Sequence, residues 1–360
     1  MTAYLPSLDG LRFLAVLLVY LHHHPWMSGP GPWSFLQREG WLGVDVFLAL
    51  SAFLFARLLS LEHEATGRID ARRFYVRRIL RIAPAYVCYL TLAVVAQCAL
   101  EGPSSVPLLR LATLATFTDN LATAVQGYNP IFETAHLWTI AYELQFYLIL
   151  PVGVAIFTSL PSRLRAPFVA GLLVLGSALK GWTILHGPGQ PAVWVLPWTH
   201  FESVALGALL GLGRLDGLLG RVAPRSLALL AGASFAVLCL LPEDTRSSPW
   251  LFPKYLVSGL VAILAIRVAT AWPAARALFG SRWLVHLGKR SYGLYLFHGM
   301  AIVASDLVLR QAFGQERFGL ASLLLGMPCA WLAAYISYRW LESPFLRWKR
   351  RFETVPSRPI

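Results

Sequence analysis

Residues 8–24 read Leu8-Asp9-Gly10-Leu11-Arg12-Phe13-Leu14-Ala15-Val16-Leu17-Leu18-Val19-Tyr20-Leu21-His22-His23-His24. The run is apolar through its middle, with an acid and a base at one end and three imidazoles at the other. A spanning helix needs about 20 mostly apolar residues. Ten stretches fit: 8–27, 40–61, 83–101, 137–158, 166–186, 193–213, 226–242, 250–272, 291–310 and 319–341. Composition agrees. Of 360 residues, 57% are hydrophobic and 14% charged, against roughly 25% charged in an ordinary globular domain. The 13 Trp, 13 Tyr and 20 Phe suit many membrane interfaces. The expected fold is an all-α integral membrane protein with about ten transmembrane helices.

An eleventh run, 107–125, is weaker: it holds Arg110, four threonines and Asp119-Asn120. The distribution of basic residues decides its placement. With both termini cytosolic and 107–125 not spanning, 24 of the 31 Lys and Arg lie on the inner side. Six lie outside: Arg38, Arg110, Arg246, Lys254, Arg310 and Arg317. If 107–125 spanned, that bias would largely vanish. The run is therefore expected to be a re-entrant or interfacial outer segment. Residues 1–351 form one membrane-embedded domain on this reading, and 352–360 a short, loose cytosolic tail.

The net charge of +13 follows this topology, so nucleic acid is not an expected partner; the lipid bilayer is. The four cysteines are dispersed in apolar stretches without metal spacing and read as small buried hydrophobes. The first apolar run carries charges and lacks a cleavage site, so it is not a signal peptide.

Ionisable groups at membrane depth are functional candidates. At about 100° per residue, Arg12 and His23 fall within about 20° of one helix face, with Asp9 about 40° from His23. His22 and His24 fall off that face. Consecutive histidines diverge too far for joint metal ligation, so no metal site is expected. Asp9 with Arg12 reads either as a functional pair or as an ion pair holding the helix end. Asp45 lies near the outer end of the second run, in Gly43-Val44-Asp45-Val46-Phe47, with Ser51 further in. In the following inner loop, Arg77, Arg78 and Arg81 fall within one helical turn. Two readings stand for them: topology-setting charge against anionic lipid, or a phosphate site built of guanidinium forks.

The fourth run opens His136-Leu137-Trp138-Thr139-Ile140-Ala141-Tyr142-Glu143. His136, Glu143 and Tyr147 share one face. Counting about 1.5 Å per residue puts Glu143 about 9 Å and His23 about 6 Å below their outer ends. They are expected to meet, with Asp45 nearby, as a carboxylate orienting an imidazole base. Glu202 and His298 are weaker mid-span candidates.

These stretches together resemble the acyltransferase-3 family of polytopic bacterial O-acyltransferases. Ser7-Leu-Asp-Gly-Leu-Arg12 through His23, Gly43–Phe47 with Ser51–Phe53, Arg77–Arg81, His136–Glu143, Ser291–His298 and Leu341–Pro344 occur in the family's order across nearly the whole chain. The resemblance implies a multi-pass protein of the bacterial inner membrane. It implies an acyl group, acetyl first among candidates, taken from cytosolic acyl-CoA and placed on a hydroxyl of a carbohydrate or glycosylated acceptor at or beyond the outer face. Acyl-CoA enters as co-substrate, with no permanently bound cofactor.

By the same resemblance, Arg12 and His23 are essential, the double-arginine motif matches Arg77, Arg78 and Arg81, and the glutamate of the Trp-containing motif matches Glu143. Joined with the reading of the residues themselves, Arg12, Arg77, Arg78 and Arg81 are expected to hold the donor and His23, Glu143 and Asp45 to form the catalytic set, with Asp9, His136, Trp138, Tyr147, Glu202 and His298 as further candidates. His23 acts as base or carries the acyl group; both stay open. Thr139 stands where Ser is common and Ala52 where Gly is usual. Many members carry a fused hydrolase-like domain; this chain is expected to stand alone. The competing class is a transporter or flippase of glycan or lipid-linked sugar, which intramembrane His, Glu and Arg suit equally.

Overall fold

The computed structural model describes residues 4–25, 31, 33–242, 248–314 and 319–355. Arg246, Arg317 and residues 356–360 of the expected tail lie outside them. All regular structure among the described residues is helical. Helices satisfy every internal backbone polar group within the segment, which a hydrocarbon surrounding requires.

Ten longer helices follow the ten expected stretches: α1 (Pro6–His23), α2 (Leu42–Thr66), α3 (Ala71–Glu101), α4 (Trp138–Ser159), α5 (Ser162–His186), α6 (Phe201–Gly211), α7 (Pro224–Leu240), α8 (Leu251–Ala271), α9 (Ser291–Phe313) and α10 (Gly319–Ile336). Seven helical runs among the described residues are long and apolar enough to cross a membrane; α6 and α7 are shorter, and α1 is not among the seven. The chain is thus a multi-pass membrane protein. The expected span 193–213 is broken. Ala192–Val195 and α6 are separate helices. Pro197 disfavours the helical region for the residue before it, and Leu196 is extended (φ −73°, ψ 147°).

Two further boundaries differ from the sequence reading. The arginine-rich stretch 72–81 is no loop. Asp70 accepts a hydrogen bond from the Arg73 amide, and α3 runs unbroken from Ala71. Its 31 residues make about 46 Å, longer than the hydrocarbon layer, so the arginines occupy one projecting end. The last helical run does not stop at 341, where the expected stretch ends. A π-helical turn, Ser337–Glu342, leads into a helix from Ser343 to Lys349, where Pro344 needs no amide donor. The start of the expected loose tail is also held: Arg77 donates to the Phe352 carbonyl at 2.6 Å, and Lys349 pairs with Glu353 at 3.3 Å.

α2 sits at the centre, against α1, α4, α6 and α8. Its contact with α6 depends on Gly207 and Gly211, spaced four apart. A Cβ on either would lie 2.4 Å from the Ala49 carbonyl oxygen or 2.3 Å from that of Phe53. Small residues at this spacing let two membrane helices approach backbone to backbone.

Residues 107–129 form two eight-residue helices, Leu108–Ala115 and Asp119–Gln126. Each is about 12 Å long, too short to span. Leu108, Leu109 and Val125 face outward. Inside, buried Arg110 bonds Asp119 (3.2 Å), Thr123 (3.1 Å) and the Gly127 carbonyl (3.0 Å), and Asn129 donates to Asp119 at 2.7 Å. Removing one partner of a buried pair costs about 3–5 kcal/mol, whereas replacing both by apolar groups is far milder. Asp119→Ala should therefore lower the unfolding temperature of detergent-solubilised protein clearly, and Arg110→Met/Asp119→Leu should recover most of the loss. A parental melting curve for Asp119→Ala would remove this cluster from the stabilising framework.

Candidate functional site

Two cavities lie along α1. The first opens among arginines. Asp9 and Arg12 of α1, Ser51 of α2, Arg78 and Arg81 of α3, Glu143 and Tyr147 of α4 and Tyr292 of α9 line it, around about 190 Å³. Arg12 pairs with Asp9 at 3.0 Å. Arg81 pairs with Glu342 at 2.6 Å, in the π-helical turn. Arg78 lies over the Phe55 ring at 4.1 Å and forms no hydrogen bond or ion pair among the described residues. A buried guanidinium without a carboxylate is costly. Arg77, about 100° around the helix from Arg78, does not line this cavity: it faces Glu62 at 3.7 Å, in an adjoining crevice that Arg78 also borders.

The second cavity, about 580 Å³, is lined by His22, His23, His136, Trp138 and His298, with Trp41, Trp194 and Glu133. The three consecutive histidines diverge. His22 Nδ1 bonds the Gln37 carbonyl at 2.6 Å, and His24 Nε2 bonds Ser322 at 3.3 Å. His23 is exposed to the cavity. Its Nδ1 lies 2.9 Å from the Val19 carbonyl and 3.2 Å from His298 Nε2. His298 Nδ1 bonds the Tyr295 carbonyl. Carbonyl oxygens only accept, so they fix both tautomers. His298 carries its proton on Nδ1 and His23 carries its own on Nδ1. The lone pair of His23 Nε2 is left for the cavity, and that atom has no partner among the described residues.

The expected meeting of His23 and Glu143 does not occur. Glu143 belongs to the arginine cavity, where it accepts from Ser51 at 2.8 Å and from Tyr147. The depth count assumed that the first span continues to residue 27, but α1 ends at His23 and His24 is extended. His23 is thus at the very end of its helix, while Glu143 lies in the second turn of α4. Asp45 is also elsewhere: fully buried, it accepts from Ser203 at 2.6 Å and faces His200 Nδ1 at 3.0 Å, tying α2 to the start of α6. Glu202 pairs with Lys180, which is also fully buried.

Residues that the sequence reading did not take as site candidates separate the two cavities. Val44, Thr139 and Tyr295 line both. The Thr139 and Tyr295 hydroxyls are 2.5 Å apart, and each is within 3.1 Å of the His136 carbonyl. A usable signal was present: Tyr295 is one turn from His298, and Thr139 one turn from both His136 and Glu143. Glu133 was missed because it lies in the outer segment, in the left-handed region (φ 52°). Its carboxylate lies so near Gly299 that a Cβ there would be 2.5 Å away, and burial raises its pKa above the ordinary carboxylate value.

Residues 5–339 match the family described as an acyltransferase domain, Acyl_transf_3. The chain belongs to that family. O-acetyltransferase OatA of Staphylococcus aureus (strain NCTC 8325 / PS 47) is 28% identical over 366 residues, covering 95% of this chain and 57% of OatA. SACOL0978 of S. aureus (strain COL), whose name gives O-acetyltransferase provisionally, is 26% identical over 362 residues with the same coverage. The chain thus spans 57% of the length of these curated relatives. No solved structure matches it.

Within the acyltransferase domain, the three arginines should respond differently to removal. Arg77→Ala and Arg81→Ala each take a cation away from a buried acid, Glu62 or Glu342; Arg78→Ala takes one from none. In detergent, the first two should lower the unfolding temperature more than the third. Equal losses would show that ion pairing does not distinguish them.

Proposed function

We propose that the chain is a membrane O-acyltransferase moving an acyl group, acetyl first among candidates, from cytosolic acyl-CoA to a hydroxyl of a carbohydrate or glycosylated acceptor at or beyond the outer face. One observation carries the reading: two cavities of unlike chemistry, one of guanidinium groups and one of imidazoles, share a single wall. Family membership supports acyl transfer. The 24-to-6 distribution of basic residues supports about ten spans, cytosolic termini and an inner-membrane orientation with the arginine cavity toward the cytosol.

Arg78 is the phosphate-binding group of the donor site, with Arg12 and Arg81 beside it; planar guanidinium forks match phosphate oxygens. Arg77 is left to its structural pair. Glu143 holds Ser51 and Tyr147 in the donor cavity. On the other side, the acceptor hydroxyl lies against His23 Nε2. That nitrogen takes the hydroxyl proton as the oxygen attacks the thioester carbonyl. The C–S bond then breaks, and the proton passes from His23 to the departing CoA sulfur. The products are an ester and free CoA. His298 acts through His23, accepting its Nδ1 proton as a hydrogen bond and holding the ring.

Labelled acetyl-CoA incubated with purified protein and fractionated cell-envelope glycans should yield labelled ester and free CoA thiol. Arg78→Ala should raise the donor KM more than it lowers kcat, because the phosphates lie far from the reacting carbonyl. No ester and no thiol release from any fraction would end the donor reading.

His23→Ala should lose about 10²–10⁴-fold in rate, as for a general base. His298→Ala should lose less and add little to His23→Ala, since residues acting as a unit are non-additive. His298→Gln, which keeps an acceptor, should restore part of the loss. Glu143→Gln should multiply with His23→Ala, because it sits across the wall. Full multiplication of His23 and His298 losses would separate that pair.

A further inference from the structure

The wall between the cavities has a consequence for which donors fit. Resting on the donor reading above, we infer that Val44, Thr139 and Tyr295 form a gate that limits the length of the transferred acyl group. In a thioester that enters from the arginine cavity, CoA trails and the acyl group leads. The carbonyl must come within reach of a hydroxyl held at His23 Nε2, so the acyl group is the first part to meet the wall. An acetyl group presents only a methyl. Each further methylene has to pass between the Val44 side chain and the joined hydroxyls, or fold back against the rings beside them.

The wall is built to resist that passage. Thr139 and Tyr295 are both 8% exposed. Their hydroxyls lie 2.5 Å apart, so one donates to the other and the second donates to the His136 carbonyl, which is within 3.1 Å of both. The Tyr295 ring is held edge-on by Phe47, ring centroids 6.2 Å apart, and by His136 at 5.5 Å. The His136 ring is fixed in turn by the Leu296 carbonyl at 3.2 Å. A side chain braced on several sides moves aside only at the expense of those contacts. The gate thus joins α2, α4 and α9 at one point. The bond changes are those of the transfer itself: the thioester C–S bond breaks, the ester C–O bond forms, and the hydroxyl proton leaves on the CoA thiol.

The test measures CoA thiol release from acetyl-, butyryl- and hexanoyl-CoA by purified protein with cell-envelope glycans. In a hydrophobic site each methylene changes kcat/KM by about tenfold or more, so the parent enzyme should fall steeply from acetyl to hexanoyl. Val44→Ala and Thr139→Ala should each raise the hexanoyl-to-acetyl ratio by about tenfold, whatever happens to the absolute rate. Tyr295→Phe should raise it less, since the ring stays. Thr139→Ser, which keeps the hydroxyl, replaces Thr139→Ala if that variant does not fold. A parent enzyme indifferent to chain length, or ratios unchanged in every folded variant, overturns the gate alone. Thiol release from none of the three donors overturns the donor reading and the gate with it.

Discussion

Charge inside an apolar surrounding has to be met by opposite charge or by hydrogen bonds, and this constraint organises the whole molecule. Lys180 meets Glu202, Lys254 meets Glu39, Arg110 meets Asp119 and Arg81 meets Glu342. Three of these matches join different helices or loops of the bundle, and the fourth, Arg110 with Asp119, closes the outer segment on itself. Lys180 ties α5 to α6, and Arg81 ties α3 to the turn after α10. Two groups that line the cavities have no such match among the described residues. Arg78 has no acid, and His23 has a ring nitrogen aimed at a cavity. They fall on opposite sides of one wall.

The helical plan was legible because a membrane segment declares itself by length and apolarity. The face shared by Arg12 and His23 was legible because the helix repeat is fixed. The partnerships were not. Periodicity gives direction about one axis and says nothing of where neighbouring helices start. Pro25 follows close on His23, and that early end of α1 was enough to separate His23 from Glu143. Asp45 looked free because its partners, His200 and Ser203, stand at a break between two helices. The wall was missed for another reason: Val44, Thr139 and Tyr295 are ordinary residues singly. They become distinctive only when three helices bring them to one place.

α2 shows how packing supports chemistry here. Gly207 and Gly211 let α6 lie directly on its backbone. Ala52, where a glycine would be usual in the family, is wholly buried against Leu48, Tyr142 and Val204. That face of α2 is filled by side chains, and its close backbone approaches to α6 are made at Ala49 and Phe53. The helix carrying Val44 and Ser51 is thereby clamped along its length, which keeps two residues of the cavities at fixed spacing.

His23 takes its orientation from a carbonyl of its own helix. The Val19 oxygen lies one turn back, where it is also the ladder acceptor for the His23 amide, and its second lone pair holds the imidazole proton. The register of that last turn and the lone pair offered to the cavity are one feature. Unwinding the turn would carry the oxygen away from the ring and leave His298 alone to hold its tautomer. In this protein, the last turn of a helix serves as a tautomer selector.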